Sequence, residues 1–200
     1  MGDHALRPGV APPRRIESAD LLLRAWEPAD LHVRYDAIIA SFDQLHQWMD
    51  WAVEPPTLEQ QREFGERQQG TWPSATGCNY GIFDAHTNEV LGAAGLHDQL
   101  GPGALEIGYW CHSDHTGKGV ITRTAALLTR AALALDGIER VEIHCDEANV
   151  RSAAVPKRLG YRLDRIEEDG IEAPAEVGRG MFWVLERDRF PGSPADLISR

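Results

Sequence analysis

The stretch from His115 to Thr124, His-Thr-Gly-Lys-Gly-Val-Ile-Thr-Arg-Thr, constrains this chain more than any other. An apolar run that reads as a strand, Leu105-Glu-Ile-Gly-Tyr-Trp-Cys111, precedes it. After it, Ile121, Ala125, Leu128, Ala132 and Leu135 recur at helical spacing on one face. A glycine-rich turn therefore joins a strand to a helix N-terminus, where backbone N–H groups are unpaired and the macrodipole is positive. Such a turn can cradle an anion such as a pyrophosphate, because glycine lets the backbone approach closely. An ordinary loop with two turn glycines would read the same way, and the stretch alone leaves both readings open. A Walker phosphate loop is excluded: a glycine follows Gly117-Lys118, and His112 stands where the earlier glycine belongs.

Upstream, Leu21 to Trp26 reads as a first strand, and Pro28 opens a helix running to about Ala40. Ser41 or Asp43 can cap a short second piece ending near Met49. Thr57-Leu-Glu-Gln60 has the spacing of a capping box for a polar helix to about Gln69, with Gly70 as its stop and Trp72-Pro73 beyond. Trp48-Met-Asp-Trp51 is a compact aromatic cluster, which can line a cleft or pin helices to a sheet. The period then changes to strands: Cys78–Phe83, Glu89–Leu96 and Leu105–Cys111 form a meander joined by Asp84-Ala-His-Thr-Asn88 and Gly101-Pro-Gly103. Downstream of the glycine turn and its helix come Asp136-Gly137 as a stop and a strand at Val141–Cys145. A helix capped by Asn149 and ended by Gly160 follows, then strands at Tyr161–Glu167 and Met181–Leu185. The expected organisation is a loose tail over 1–18, one domain over 19–190 and a second tail over 191–200.

Charge and cysteine usage limit what such a domain does. A net charge of −11 disfavours non-specific DNA binding. No apolar run approaches the roughly 18–20 residues needed to cross a bilayer, and the N-terminus lacks the apolar core of a secretory signal. Cys78, Cys111 and Cys145 are widely spaced and read as buried free thiols in a reducing, cytoplasmic setting. His112, His115 and His144 fit no common metal spacing, so no metal is expected.

The order of elements resembles the GNAT superfamily of acyl-CoA-dependent N-acyltransferases, and within it the RimJ/RimL-type branch. Four segments carry the resemblance: Leu21-Leu-Leu-Arg-Ala-Trp-Glu-Pro-Ala-Asp30, Trp48-Met-Asp-Trp51, Glu106-Ile-Gly-Tyr-Trp110 leading into Gly117-Lys-Gly119, and Asn149-x-x-Ser152 followed by Lys157-Arg-Leu-Gly-Tyr161. Together they span nearly all of residues 20–186. The resemblance implies an α/β (α+β) fold with a mixed, mostly antiparallel sheet of about seven strands flanked by helices. It implies acetyl-CoA as cosubstrate and a primary amine as acceptor, such as a protein N-terminus or a small-molecule amine. Relatives of this kind are often homodimers.

By the same resemblance, Gly117, Lys118, Gly119, Val120, Ile121 and Thr122 match the pyrophosphate turn. Tyr109, Trp110, Cys111 and His112 match the strand that pairs with the pantetheine arm. Asn149 matches a contact to that arm, and Lys157 or Arg158 approaches the nucleotide end. Thr116 and Ile121 depart from the pattern, which usually has Gln or Arg and a small residue there.

Transfer to an amine needs a proton acceptor, a polarised thioester and a protonated leaving thiolate. Glu106 is the candidate base, with a raised pKa expected if the strand buries it; a surface glutamate pairing with a cation is the alternative, and His97 and Asp98 are reserves. Many superfamily members place a tyrosine seven residues after the signature Asn, where this chain has Pro156. The RimL-like substitute is Ser152, which either bonds the departing sulfur or a helix carbonyl. Pro156 is expected to disturb that helix, and a backbone N–H at Trp110 or Cys111 can polarise the carbonyl. Trp48 and Trp51, with Glu106, form the expected acceptor side. The acidic loop Glu167–Gly180 suits a cationic acceptor or is simply solvated. Two further readings stay open: a CoA-binding sensor or scaffold with little catalysis, and the same enzyme using succinyl-CoA or another acyl donor.

Overall fold

A computed structural model describes residues 4–7, 9–69, 72 and 77–200. One eight-stranded sheet organises them, in the order β1-β2-β3-β4-β5-β6-β8-β7. The strands are β1 (Arg15–Glu17), β2 (Leu21–Ala25), β3 (Gly77–Asp84), β4 (Val90–His97), β5 (Ala104–Cys111), β6 (Arg140–Asp146), β7 (Arg162–Glu168) and β8 (Arg179–Glu186). Every neighbouring pair is antiparallel except β5 and β6, which are parallel. The mixed, mostly antiparallel architecture is the one expected, with eight strands rather than about seven.

The helices are α1 (Leu31–Ala40), α2 (Phe42–Trp48), α3 (Leu58–Gln69), α4 (Val120–Leu133), α5 (Val150–Leu159) and α6 (Pro194–Ile198). Strand alternation divides them between the two faces of the sheet. Leu105 and Ile107 point into the main core, where Ala125, Leu128 and Ala132 of α4 are fully buried. Trp110, two pleats on from Glu106, packs instead beside Ala37, Ile38 and Leu45 of α1 and α2. The capping box at α3 is present: Thr57 N donates to Gln60 Oε1 at 2.7 Å and Gln60 N to Thr57 Oγ1 at 3.2 Å. The expected stop at Gly70, and Pro73, lie outside the described residues. Among the described residues no helix is long and apolar enough to cross a membrane.

Within both stretches expected as tails, described residues have partners in the domain. Ala5 and Leu6 are buried, and their N–H groups donate to the carboxylate of Asp98 at 2.7 and 3.1 Å. Tyr80 Oη and Trp72 Nε1 donate to the carbonyls of Pro13 and Pro12. Arg15–Glu17 then adds a strand against β2. At the other end Ser193 caps α6 by accepting from Asp196 N, and Ala195 is fully buried. Arg130 of α4 bonds the Asp196 carboxylate at 2.7 Å and the Ser199 hydroxyl at 2.8 Å. Segments lacking a long apolar pattern are thus held by partners distant in sequence.

Two helix details also differ from expectation. Ser41 makes no capping bond to α2; its hydroxyl accepts from Ser113 N at 3.1 Å. Pro156 does not break α5, which runs through it from Val150 to Leu159. The proline removes the N–H that would have met the Ser152 carbonyl, and the phenol of Tyr109 donates to that carbonyl at 3.2 Å instead.

Candidate active site

The parallel pairing of β5 and β6 covers only Ala104↔Arg140, Leu105↔Val141 and Glu106↔Glu142. Beyond Glu106, β5 continues to Cys111 and β6 to Asp146 without pairing to each other. Each stays held on its outer side, β5 by β4 and β6 by β8. The sheet therefore forks, and the inner edges of the fork carry backbone groups available to an extended ligand. A cleft of about 1110 Å³ opens at the fork.

Beyond its end β5 leads, through a 3-10 turn at Ser113–His115, into the glycine turn. Gly117 and Gly119 have φ of +74° and +76°, the left-handed region, and a side chain added at either would meet nothing within 4 Å. Gly119 is the N-cap of α4, and no side chain caps that end. The first turn of α4 therefore directs its N–H groups outward, with Lys118 exposed beside them. Thr116, off-pattern by resemblance, donates its hydroxyl to Ser113 O at 3.0 Å and so stabilises the approach to the turn. Ile121 is only partly buried at the edge of the core.

The structure brings most of the expected chemical residues together. Trp48, Trp51, Glu106, Tyr109, Trp110, Asn149 and Ser152 all line the cleft. Cys111, His112, the glycine turn and Arg158 lie outside its wall. Asn149 caps α5, its Oδ1 accepting from Ser152 N at 3.0 Å. The Ser152 hydroxyl is 3.1 Å from Tyr109 Oη. Burial raises the Tyr109 phenol above its ordinary pKa, with the Ser152 hydrogen bond opposing, so the phenol is protonated at neutral pH. Cys145 also lines the cleft. Burial pushes its thiol up to about 11 despite a hydrogen bond with Ser152, and burial likewise pushes Cys111 to about 11. Neither is a thiolate at neutral pH, which disfavours a covalent cysteine route.

Of the reserve bases, Asp98 is corrected: it is buried and committed to the N-terminal segment. His97 faces the cleft as the cross-strand partner of Glu106, its ring lying over Gly95 and Gly108. An added Cβ at either glycine would come within 2.9 Å of that ring. Glu106 is neither buried nor a free surface group: its side chain is 25% exposed, and Oε1 lies 3.8 Å from His144 Nδ1. His144 was weighed in the sequence only as a metal ligand. It bonds Glu142 Oε2 through Nε2 at 2.8 Å, and Glu142 Oε1 accepts from Arg140 Nε at 2.7 Å. Burial pushes the Glu142 carboxyl up, but hydrogen bonds and charge from His144 and Arg140 outweigh it and hold the group below its ordinary value. A pattern signal existed in the alternation Glu142-x-His144, but the partner Glu106 comes from a different strand. Among the described residues no cluster of metal-binding side chains is found.

Comparison with known proteins agrees with this geometry. The family model described as "Acetyltransferase (GNAT) domain" matches residues 20–162. The chain is 30% identical over 156 residues to YdaF of Bacillus subtilis (strain 168), provisionally named a ribosomal N-acetyltransferase, covering 76% of this chain and 82% of that protein. Its fold is similar to RimL, a ribosomal L7/L12 alpha-N-protein acetyltransferase in complex with coenzyme A, with a TM-score of 0.77 at 22% identity, covering 88% of this chain and 99% of that one. It is also similar to Mycobacterium smegmatis RimJ in complex with CoA-disulfide, with a TM-score of 0.76 at 20% identity, covering 94% and 91%. A forked sheet, an uncapped glycine turn at the end of the same strand and a family match across most of the chain lead to one assignment: the protein belongs to the GNAT acetyltransferase family.

Proposed function

We propose that this enzyme moves an acetyl group from acetyl-CoA to a primary amine by direct transfer in a ternary complex. One observation carries the reading: the open fork between β5 and β6 and the uncapped N-terminus of α4 lie at the two ends of one strand segment. A long ligand with an anionic diphosphate and an amide-bearing arm matches both. The N–H groups of Gly117 to Thr122 bind the diphosphate, and the β5 edge at Tyr109 to Cys111 pairs with the arm; His112, expected to share in this, instead donates its N–H to Leu91 O at 2.9 Å on the β4 side. Asn149 contacts the arm through its amide, and Arg158 serves the nucleotide end.

The chemistry falls at the closed end of the fork. Glu106 accepts the proton of the attacking amine, whose nitrogen lone pair forms the new bond to the thioester carbonyl. The carbon–sulfur bond breaks, the Ser152 hydroxyl hydrogen-bonds the departing sulfur, and solvent in the cleft supplies the proton that converts the thiolate to the thiol. A backbone N–H at Trp110 or Cys111 stabilises the oxyanion. Trp48 and Trp51 line the acceptor side. YdaF and RimL are named for ribosomal-protein substrates, so a protein N-terminus heads the acceptor classes, ahead of small amines. The departures from the family pattern at Thr116 and Pro156 are accommodated locally: the Thr116 hydroxyl donates to Ser113 O, and Tyr109 donates to the Ser152 carbonyl that Pro156 leaves without an N–H.

The test is calorimetry with acetyl-CoA and succinyl-CoA beside turnover on a panel of N-terminal peptides and small amines. Acetyl-CoA binding with turnover on at least one amine is expected. Binding without turnover on any member would favour the scaffold reading.

A further inference from the structure

Resting on the acetyltransferase reading above, we propose that His144 relays the amine's proton: Glu106 takes it at the reacting nitrogen, His144 Nδ1 takes it from Glu106, and the imidazolium releases it to solvent through the cleft. The parallel register sets Glu106 opposite Glu142, and His144, two residues along β6, shares their face. An ionised carboxylate only accepts hydrogen bonds. The 2.8 Å contact from Nε2 to Glu142 therefore places the imidazole proton on Nε2. A neutral imidazole then has its lone pair on Nδ1, the atom facing Glu106 Oε1 at 3.8 Å. That separation is too long for a shared proton at rest, and closing it needs a small rotation of the partly exposed Glu106 side chain toward the fixed imidazole.

The surroundings suit a transient imidazolium. Glu142, with its side chain 5% exposed, is fixed by Arg140 and gives the cation a permanent counter-charge. Phe182 of β8 packs on the imidazole ring at a centroid distance of 4.5 Å and limits its rotation. The other charged groups around it are Arg165 of β7, over the Phe182 ring, and His97 of β4, across from Glu106. Asp146 and Asp169 line the same cleft. The His144 side chain is 18% exposed, so it has an exit for the proton. Returning Glu106 to its ionised form through His144 separates proton capture from proton release. Glu142 is then a positioning residue for the relay, and His144 acts through Glu106 rather than on substrate.

Three measurements test this on the full chain. Long-range 15N–1H correlation spectra should show His144 protonated at Nε2 and bare at Nδ1 at neutral pH; a proton on Nδ1 would overturn the relay whatever the activity. His144→Gln should lower kcat on the best amine about 10²-fold with the CoA dissociation constant unchanged, and imidazole should restore turnover to His144→Ala. Wild-type kcat and an unaltered acidic limb of the pH profile in His144→Gln, or the same loss from His97→Gln with His144→Gln silent, would remove the relay and leave the acetyltransferase reading standing. Glu142→Gln should lower kcat with the CoA dissociation constant unchanged, because the imidazolium loses its counter-charge, and should loosen the preference for the Nε2 proton in the same spectra. Wild-type protein that binds CoA but acetylates no amine would remove the acetyltransferase reading, and the relay with it.

Discussion

The two ends of β5 handle chemistry in different ways. In the proposed reading, the working groups at the glycine turn are main-chain N–H groups, contributed by consecutive residues and aimed by a helix start. At the closed end of the fork they are side chains from β4, β5 and β6, brought together by strand register. Main-chain recognition tolerates side-chain change but depends on a backbone conformation that few residues adopt. Side-chain chemistry has the opposite sensitivity: it survives small backbone adjustments and fails when one functional group is altered.

The contrast can be broken by substitutions at each end. The largest effect is expected for Gly119→Val. A β-branched residue at φ +76° is strained by about 1–3 kcal/mol, and the turn that presents the α4 N–H groups is expected to shift with it. Calorimetry should then detect no CoA binding, and a retained dissociation constant would show that the turn is not the anion site. Next, Glu106→Gln should lower kcat by about 10²–10⁴-fold while CoA binds as before. A parallel loss of CoA affinity would erase the division of labour between the two ends.

Two smaller effects lie outside both regions and calibrate them. Asp98→Asn weakens the carboxylate bonds to Ala5 and Leu6 and should cost about 1.5–3 kcal/mol of stability by denaturant unfolding. Its kcat should be unchanged, whereas a kinetic loss would reinstate Asp98 as a base. The last prediction concerns pH. Burial raises the Asp30 carboxyl, but the hydrogen bonds from Arg24 and Glu27 N, with the charges of Arg24 and Arg34, hold it below its ordinary value of 3.8. A group depressed in the folded state contributes stability that is full above its unfolded pKa and lost as pH falls through the folded one. The stability gap between the parent and Asp30→Asn should therefore be constant above about pH 5 and narrow below it. A gap independent of pH would mean that the pair contributes packing rather than charge.

Local features were legible in the sequence, and features made by distant pairing were not. The glycine turn, the Thr57–Gln60 capping box, the Asn149 cap and the Gly160 stop each depend on a few neighbouring residues. The place of Glu106 on the cleft wall was legible because it lies just ahead of a recognisable arm. The docking of Ala5 and Leu6 on Asp98 joins segments more than ninety residues apart. No periodicity encodes that contact, so the N-terminal segment read as a tail. His144 was missed for a related reason: its meaning comes from the β5–β6 register, which a single sequence leaves undetermined.

The missing N–H of Pro156 has a consequence for how the fork holds its width. Past Glu106 no ladder links β5 to β6, so nothing in the sheet itself sets the span between them. Tyr109 bolts β5 to α5 instead, anchored to a carbonyl that an ordinary helix residue at 156 would have occupied. A phenol resting on a helical vacancy thus ties β5 to α5 across the slot, and residue 156 bears on the fork through the carbonyl it leaves open.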